Sequence, residues 1–401
     1  MEQPDFSPSQ DQLLEEMEFR AAKYFYIEAD PGTGLVRDRA RIRGRDTRRI
    51  ASIAATGFGL SALCIADDRG YFETGLLKRR VERTLEFLAD AAIHANGFFP
   101  HFLDMHTGQR VWNSEFSSVD TAWLICGALH ASAHFQSARI TQLAGEIYAR
   151  VDWRWMLDGG GTLRHGWTLD KGFLPYRWDA YSELLAMYLL AIGAPANAIP
   201  AASWDAWKRP VRNVDGLSYI ESAAPLFAHQ YSHAWFDFRG RRDRYADYFE
   251  NSRLATEAHR TFCMDQSHRF PWYGENMWGI TASDSQRGYL AWGGPFQAGS
   301  LDGTLVPCAA GGSLPFMPRQ CGAVLESMLD RYGKKIWGRY GFVDAFHPGD
   351  GWYGPDVVAI DQGIMMLMAE NARSGRVWET MNSDLYLQRG MQLAGLQDNR
   401  A

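Results

Sequence analysis

Apolar residues fall along this chain in long runs with helical spacing, and the runs come in two patterns. Four are amphipathic with one charged face: Gln10–Ile27, Thr74–Ala92, Ile140–Arg150 and Arg242–Cys263. Six are apolar or small nearly all round: Ile50–Ala66, Ser118–Phe135, Ala180–Ile192, Pro225–Phe236, Pro318–Tyr332 and Val357–Asn371. A helix with no polar face has no side to offer water and is buried. Surface helices alternating with buried ones predict a ring, with the apolar set inside and the amphipathic set around it. Six inner segments is the number for an all-α (α/α)6 toroid. No composition break divides 1–401 into more than one domain. Strand-like alternation is scarce, and the outer helices near the C-terminus are not marked by the pattern. The stretch from Trp272 to Gly312 reads as a long excursion with little helix. It is rich in Trp, Gly and Tyr, unlike a disordered segment.

Composition adds a ligand surface to this picture. Hydrophobic residues make up 46% of the chain, enough for a large core, and there are 15 Trp. Many of the aromatics lie in Gly-rich loops rather than on apolar helix faces, where flat rings can meet a ligand. A net charge of -6 argues against nucleic acid as partner. The basic run from Arg37 to Arg49, interrupted by Asp38 and Asp46, reads as a solvated loop. The five cysteines show no CxxC pairing and read as buried thiols. No apolar run is long enough to span a membrane. The acidic, polar start reads as no signal peptide. That points to the cytoplasm, or to the periplasm if a leader was removed ahead of this numbering.

The acids are placed where chemistry could use them. Asp120 opens the second inner segment, with Glu115 just upstream. Glu183 opens the third, and Asp356 and Asp361 open the last. In a ring of parallel inner helices these starts share one mouth. Ser118 and Asp356 fit a plain N-cap reading. Glu183 and Asp361 fall about a turn inside their predicted helices, among apolar neighbours, where a desolvated carboxyl has a raised pKa and suits a general acid. In the stretch from Tyr340 to Trp378, Asp344, Asp350, Asp356 and Asp361 stand among Phe346, Trp352 and Tyr353. Rings stack on sugar faces, and acids bind hydroxyls or move protons. His229, His233 and His259 lack metal-ligand spacing, and there is no GxSxG, GxxxxGK[ST] or GxGxxG. No metal or cofactor is expected.

Five motifs, in order, carry a resemblance to a known family. They are Gly97-Phe-Phe-Pro-His-Phe-Leu-Asp-Met, Trp112-Asn-Ser-Glu-Phe-Ser-Ser-Val-Asp-Thr121, Asp243-Arg-Tyr-Ala-Asp-Tyr-Phe249, Tyr273-Gly-Glu-Asn-Met-Trp-Gly-Ile-Thr-Ala-Ser-Asp284 and the segment through Asp361-Gln-Gly. From about Leu13 to Trp378 the chain resembles the glucoamylase-like (α/α)6 family, above all the endo-β-1,2-glucanases of glycoside hydrolase family 144. The resemblance implies hydrolysis of linear β-1,2-glucan to sophorose and short sophorooligosaccharides, with inversion. By position it implies Glu183 as general acid, Asp361 as the base-side carboxylate and Asp120 as an acid beside the subsite.

The expected site follows. Glu183, Asp361 and Asp120 are catalytic. Trp112, Trp278, Phe346, Trp352 and Tyr353 stack on sugar rings. His101, Glu115, Glu275, Asn276 and Gln362 bind hydroxyls, and Asp344 shapes the loop or binds sugar. The partner is a β-glucan, with no nucleic acid and no membrane. Inversion needs carboxyls roughly 6.5–9.5 Å apart and retention roughly 5–5.5 Å, a distance that sequence does not supply. Competing readings are an exo-acting or retaining enzyme on the same fold, and a glucan-binding protein on a dead scaffold. A terpenoid-cyclase toroid would need an Asp-rich motif or metal ligands.

Overall fold

In the computed structural model, which describes residues 6–296 and 299–398, thirteen α-helices carry the described chain. They are Pro8–Ile27 (α1), Ile53–Asp68 (α2), Thr74–Asp90 (α3), Ser118–Phe135 (α4), Ala138–Arg150 (α5), Trp153–Leu157 (α6), Leu185–Gly193 (α7), Tyr248–Asp265 (α8), Pro307–Gly311 (α9), Pro318–Tyr332 (α10), Ala359–Arg373 (α11), Arg376–Met381 (α12) and Leu385–Leu393 (α13). The strands are short and pair antiparallel, mostly two by two. None of the described helices is long and apolar enough to cross a membrane.

The two sequence patterns sort the helices as their faces require. In α2 every residue from Ile53 to Ala66 is buried, whereas α3 buries only Leu77, Val81, Thr84, Leu85 and Leu88, a stripe at helical spacing. Following the buried elements, α2 packs on α4, α4 on α7, and α7 on the 3-10 turn Tyr231–Ala234. Gln230, beside that turn, donates to the Ala309 carbonyl in α9 at 2.9 Å. Then α9 packs on α11, and α11 packs on α2 again. Against these elements, α1 packs on α2 and α11, α3 and α5 pack on α2 and α4, α13 packs on α7, and α10 packs on α9. Closest approach is built on glycine. A Cβ on Gly127 of α4 would sit 2.0 Å from the Gly57 carbonyl oxygen of α2, so any side chain there forces the pair apart.

Short strands fix where three of the buried helices begin. Ile50–Ser52 pairs with Phe102–Asp104 and runs into α2, whose first turn Ser52 caps. Phe116–Ser117 pairs with Gly166–Thr168 and runs into α4, capped by Ser117. Arg39–Arg41 pairs with Asp356–Val358, which runs into α11. The N–H of Ile53 reaches the His101 carbonyl at 3.1 Å and that of Ala359 reaches the Asp38 carbonyl at 2.8 Å. The loops carrying His101 and Asp38 therefore lie over the starts of α2 and α11.

Five expectations are corrected. Pro225–Phe236 is not an α-helix but two 3-10 turns, Leu226–His229 and Tyr231–Ala234. Its polar groups bond to other elements instead of the local ladder, Gln230 to α9 and Ser232 to the Glu183 carbonyl. Pro318–Tyr332 is amphipathic, burying Cys321, Val324, Leu325 and Met328 and turning Arg319 and Asp330 outward. The neighbouring α9 is buried throughout. The third apolar segment becomes helix only at Leu185, so Glu183 precedes the helix rather than lying a turn inside. Asp356 is not a cap, because it lies in a strand and takes both terminal nitrogens of Arg48 at 2.6 and 2.8 Å. The cap of α4 is Ser117, while Ser118 accepts the Trp178 indole N–H at 2.9 Å.

Candidate active site

One cluster grows from the entries to α4 and α7. His101 and Glu115 are tied by main chain, His101 N–H to Glu115 carbonyl at 2.9 Å, and their side chains meet with Nδ1 3.1 Å from Oε1. Asp120, in the first turn of α4, brings Oδ2 to 3.7 Å from the same nitrogen. Burial works against charge on the imidazole, but Asp120 and Glu115 outweigh it and lift the His101 pKa to about 9. Burial also pushes the Asp120 carboxyl upward, an effect the His101 charge opposes. Ligand atoms of His101, Glu115 and Asp120 lie within 4.8 Å of one another, a set that could hold a cation.

Glu183 stands beside this cluster. Its main-chain carbonyl accepts the Ser232 hydroxyl at 2.8 Å, and Ser232 Oγ accepts the Ala186 N–H at 3.1 Å. The Glu183 Oε2 atom is sealed from solvent with no protein partner. Burial, with the Asp120 charge adding to it, raises the carboxyl to about 7. A carboxyl of this kind holds a proton at neutral pH and can give it up.

The second cluster lies at the start of α11. Asp361 Oδ1 accepts the Tyr231 hydroxyl at 3.3 Å, and Asp344 Oδ2 accepts the Asp284 N–H at 2.6 Å. Burial pushes both carboxyls upward, and each weighs on the other. The charge of Asp38 acts on His101, Asp120 and Tyr289. Arg39 bridges Asp38 at 3.0 Å and Asp284 at 2.7 Å. Tyr289, 48% exposed on the hairpin Ala282–Ser285/Gly288–Ala291, lies within the fields of Asp361 and Asp344.

The structure thus brings His101, Glu115, Asp120 and Glu183 into one group and Asp344 and Asp361 into another. Trp112 edges the first: it is 68% exposed, and its ring packs edge-on to Phe102, which stacks on His101 at 3.9 Å. Other expected residues are taken elsewhere. Trp278 is wholly buried in the core and so is Phe346, which packs against Tyr332 and stacks with Tyr353. Trp352 and Tyr353 are half-buried in a two-stranded hairpin with Phe346–His347. Gln362 is buried, its amide donating to the Phe342 carbonyl at 3.1 Å. Glu275 and Asn276 line a separate open cavity of about 580 Å³ with Trp272, Asp330 and Arg331. For Trp278 and Phe346 the aromatic, Gly-rich signature that marked the residue belongs to a segment packed into the body.

Sequence reasoning missed Asp38, Arg39, Tyr231 and Tyr289. The run Arg37 to Arg49 is solvated at Arg43, Gly44, Arg45, Thr47 and Arg49, but it also supplies Asp38, Arg39 and the Arg48–Asp356 pair. A carboxylate set inside RDRAR was the available signal. Tyr231 sat in an apolar run, Pro225–Phe236, that read as a buried helix.

Known proteins resemble this arrangement. A family model described as "Putative glucoamylase" matches residues 175–384. An exo beta-1,2-glucooligosaccharide sophorohydrolase (non-reducing end) of Parabacteroides distasonis is 26% identical over 95% of this chain, which spans 57% of that relative's length. The endo-beta-1,2-glucanase of Chitinophaga pinensis, solved with sophorotriose and glucose, superposes with a TM-score of 0.91 at 29% identity, covering 98% of this chain and 99% of that one. A "putative glucoamylase" of Bacteroides fragilis gives 0.88 at 31% identity, covering 99% and 100%.

Proposed function

The chain belongs to the glucoamylase-like family whose model it matches, and from that premise we propose that it is a glycoside hydrolase of β-1,2-glucan. Its product is sophorose or short sophorooligosaccharides, and its mechanism is inverting general acid/base catalysis. The helices are read as an (α/α)6 toroid, with the inner starts at one mouth. Support for the substrate comes from the Chitinophaga and Parabacteroides proteins, both named for β-1,2-glucose linkages.

The observation that carries the reading is Glu183: a carboxyl with one sealed, partnerless oxygen, which burial pushes up to about 7. It gives its proton to the glycosidic oxygen as the C–O bond breaks. On the other side of the sugar, a water forms the new C–O bond and loses a proton toward Asp361. His101, fixed as a cation by Glu115 and Asp120, donates to sugar hydroxyls, and Trp112 offers its face at the rim. No cofactor takes part.

The test is a panel of linear and cyclic β-1,2-, β-1,3-, β-1,4- and α-1,4-glucans with product identification. Release of sophorose-series products from β-1,2-glucan is expected. Products of uniform length from the outset would move the reading to exo action. No cleavage of β-1,2-glucan would refute it.

A further inference from the structure

We propose that Tyr289 is a further substrate-contacting residue: its ring is a stacking face for one glucose unit, carried over the entry to α11 on the hairpin Ala282–Ser285/Gly288–Ala291. The inference rests on the reading of the chain as a glucanase and needs no role for Asp361.

The hairpin is fastened to the site along its length. At its base the Trp292 indole donates to Ser283 Oγ at 2.9 Å. In its middle the Asp284 N–H donates to Asp344 Oδ2 at 2.6 Å, and the Asp284 carboxylate accepts from Arg39 at 2.7 Å. At its turn the Ser285 hydroxyl donates to the Gly288 carbonyl at 2.8 Å, and the Gln286 amide reaches Asp350 Oδ2 at 3.5 Å. These anchors lead to one place. Arg39 also holds Asp38 at 3.0 Å, and the Asp38 carbonyl accepts the Ala359 N–H, at the start of α11, at 2.8 Å. The Asp344 N–H donates to the carbonyl of Asp356 at 3.0 Å, in the strand that runs into α11.

Tyr289 stands directly opposite Asp284 in the hairpin, so the two side chains share one face. The Arg39 guanidinium carbon lies over the Tyr289 ring, 6.0 Å from its centre, which occupies one side of the ring. The ring is nonetheless 48% exposed, whereas Ala282, Ser283 and Trp292 of the same segment are buried. Burial, and after it the charges of Asp361 and Asp344, push the hydroxyl pKa upward, in keeping with a hydroxyl end turned toward the acids and a ring left open to water. An aromatic ring kept in water on a mount held this firmly gains little from packing in the free protein. It meets a ligand with its ordering cost already met by the fold. A glucose unit matches the place: its flat C–H face suits the ring, and the hydroxyls at its edge suit the carboxylates alongside, Asp38 and Asp284.

Titration calorimetry of linear β-1,2-glucan into the Glu183→Gln protein tests this, alongside steady-state kinetics in the enzyme with an intact Glu183. Tyr289→Ala is expected to weaken glucan binding and raise KM by about 5- to 10-fold, with kcat within about 3-fold of the parent. Tyr289→Leu, apolar but without a flat ring, should lose about as much. Tyr289→Phe keeps the ring and should restore binding to within about 2-fold of the parent. The side chain is exposed, so all three should melt within about 2 °C of the parent. Parent affinity in Tyr289→Ala or Tyr289→Leu, or a loss in Tyr289→Phe as large as in Tyr289→Ala, would overturn the proposal while cleavage of β-1,2-glucan by the parent leaves the glucanase reading standing. A parent that neither binds nor cleaves β-1,2-glucan would overturn that reading, and this inference with it.

Discussion

Ser232 holds Glu183 by its main chain: the serine hydroxyl donates to the Glu183 carbonyl at 2.8 Å and accepts the Ala186 N–H at 3.1 Å. One side chain from a 3-10 turn thereby fixes the residue that precedes α7 and caps the helix that follows. Ser232→Ala leaves a buried N–H and a carbonyl short of partners, a cost of about 1–3 kcal/mol. Thermal unfolding should show that loss. The kcat should fall by about 10- to 100-fold, because the carboxyl is no longer held in register with the scissile bond.

His101 makes stability depend on alkaline pH. Against the loss from burial, Asp120 and Glu115 raise its folded pKa to about 9 from an unfolded value of 6.5. A raised base binds its proton more tightly in the folded state. Its contribution is therefore complete below pH 6.5 and is lost as pH rises through about 9. Urea unfolding at acid and alkaline pH should show the parent losing more stability across this window than His101→Gln.

Much of this was legible in the chain and some was not, for physical reasons. Buried helices such as α2 and α4 declare themselves because a segment without a polar face has one possible environment. The family resemblance drawn from five ordered motifs is borne out by the family match and the superposed glucanases. Asp120, Glu183 and Asp361 stood out as acids at helix starts. Residues whose role depends on a partner far along the chain did not. Asp38 meets its site only because Arg39–Arg41 pairs with Asp356–Val358, more than three hundred residues away. Trp278 and Phe346 misled because an aromatic in a Gly-rich turn looks the same whether the turn faces a ligand or the core.

Trp112 and Trp278 separate those two cases. Trp112 is 68% exposed, so Trp112→Ala should weaken substrate binding by about 5- to 10-fold with little change in melting temperature. Trp278 is fully buried, so Trp278→Ala should cost about 3–5 kcal/mol of stability. Where that variant still folds, its KM should stay near the parent value. Calorimetry alongside steady-state kinetics distinguishes the outcomes.

Glu183 also sets the alkaline side of activity. The acid must carry its proton to act, and burial, helped by Asp120, places its pKa at about 7. The kcat/KM should therefore decline as pH rises above about 7, and Asp120→Asn, which removes the neighbouring negative charge, should move that decline to lower pH. A pH–rate series on both proteins checks the shift and its sign.

The most direct measurement compares the parent and Glu183→Gln on linear β-1,2-glucan, following products and bound ligand together. Glutamine keeps the shape of the neutral acid but has no proton to give. The parent should release sophorose-series products, and the variant should bind the glucan comparably while turning over about 100-fold more slowly or not at all. Turnover by Glu183→Gln at the parent rate, or a parent enzyme that leaves β-1,2-glucan intact, would contradict the account.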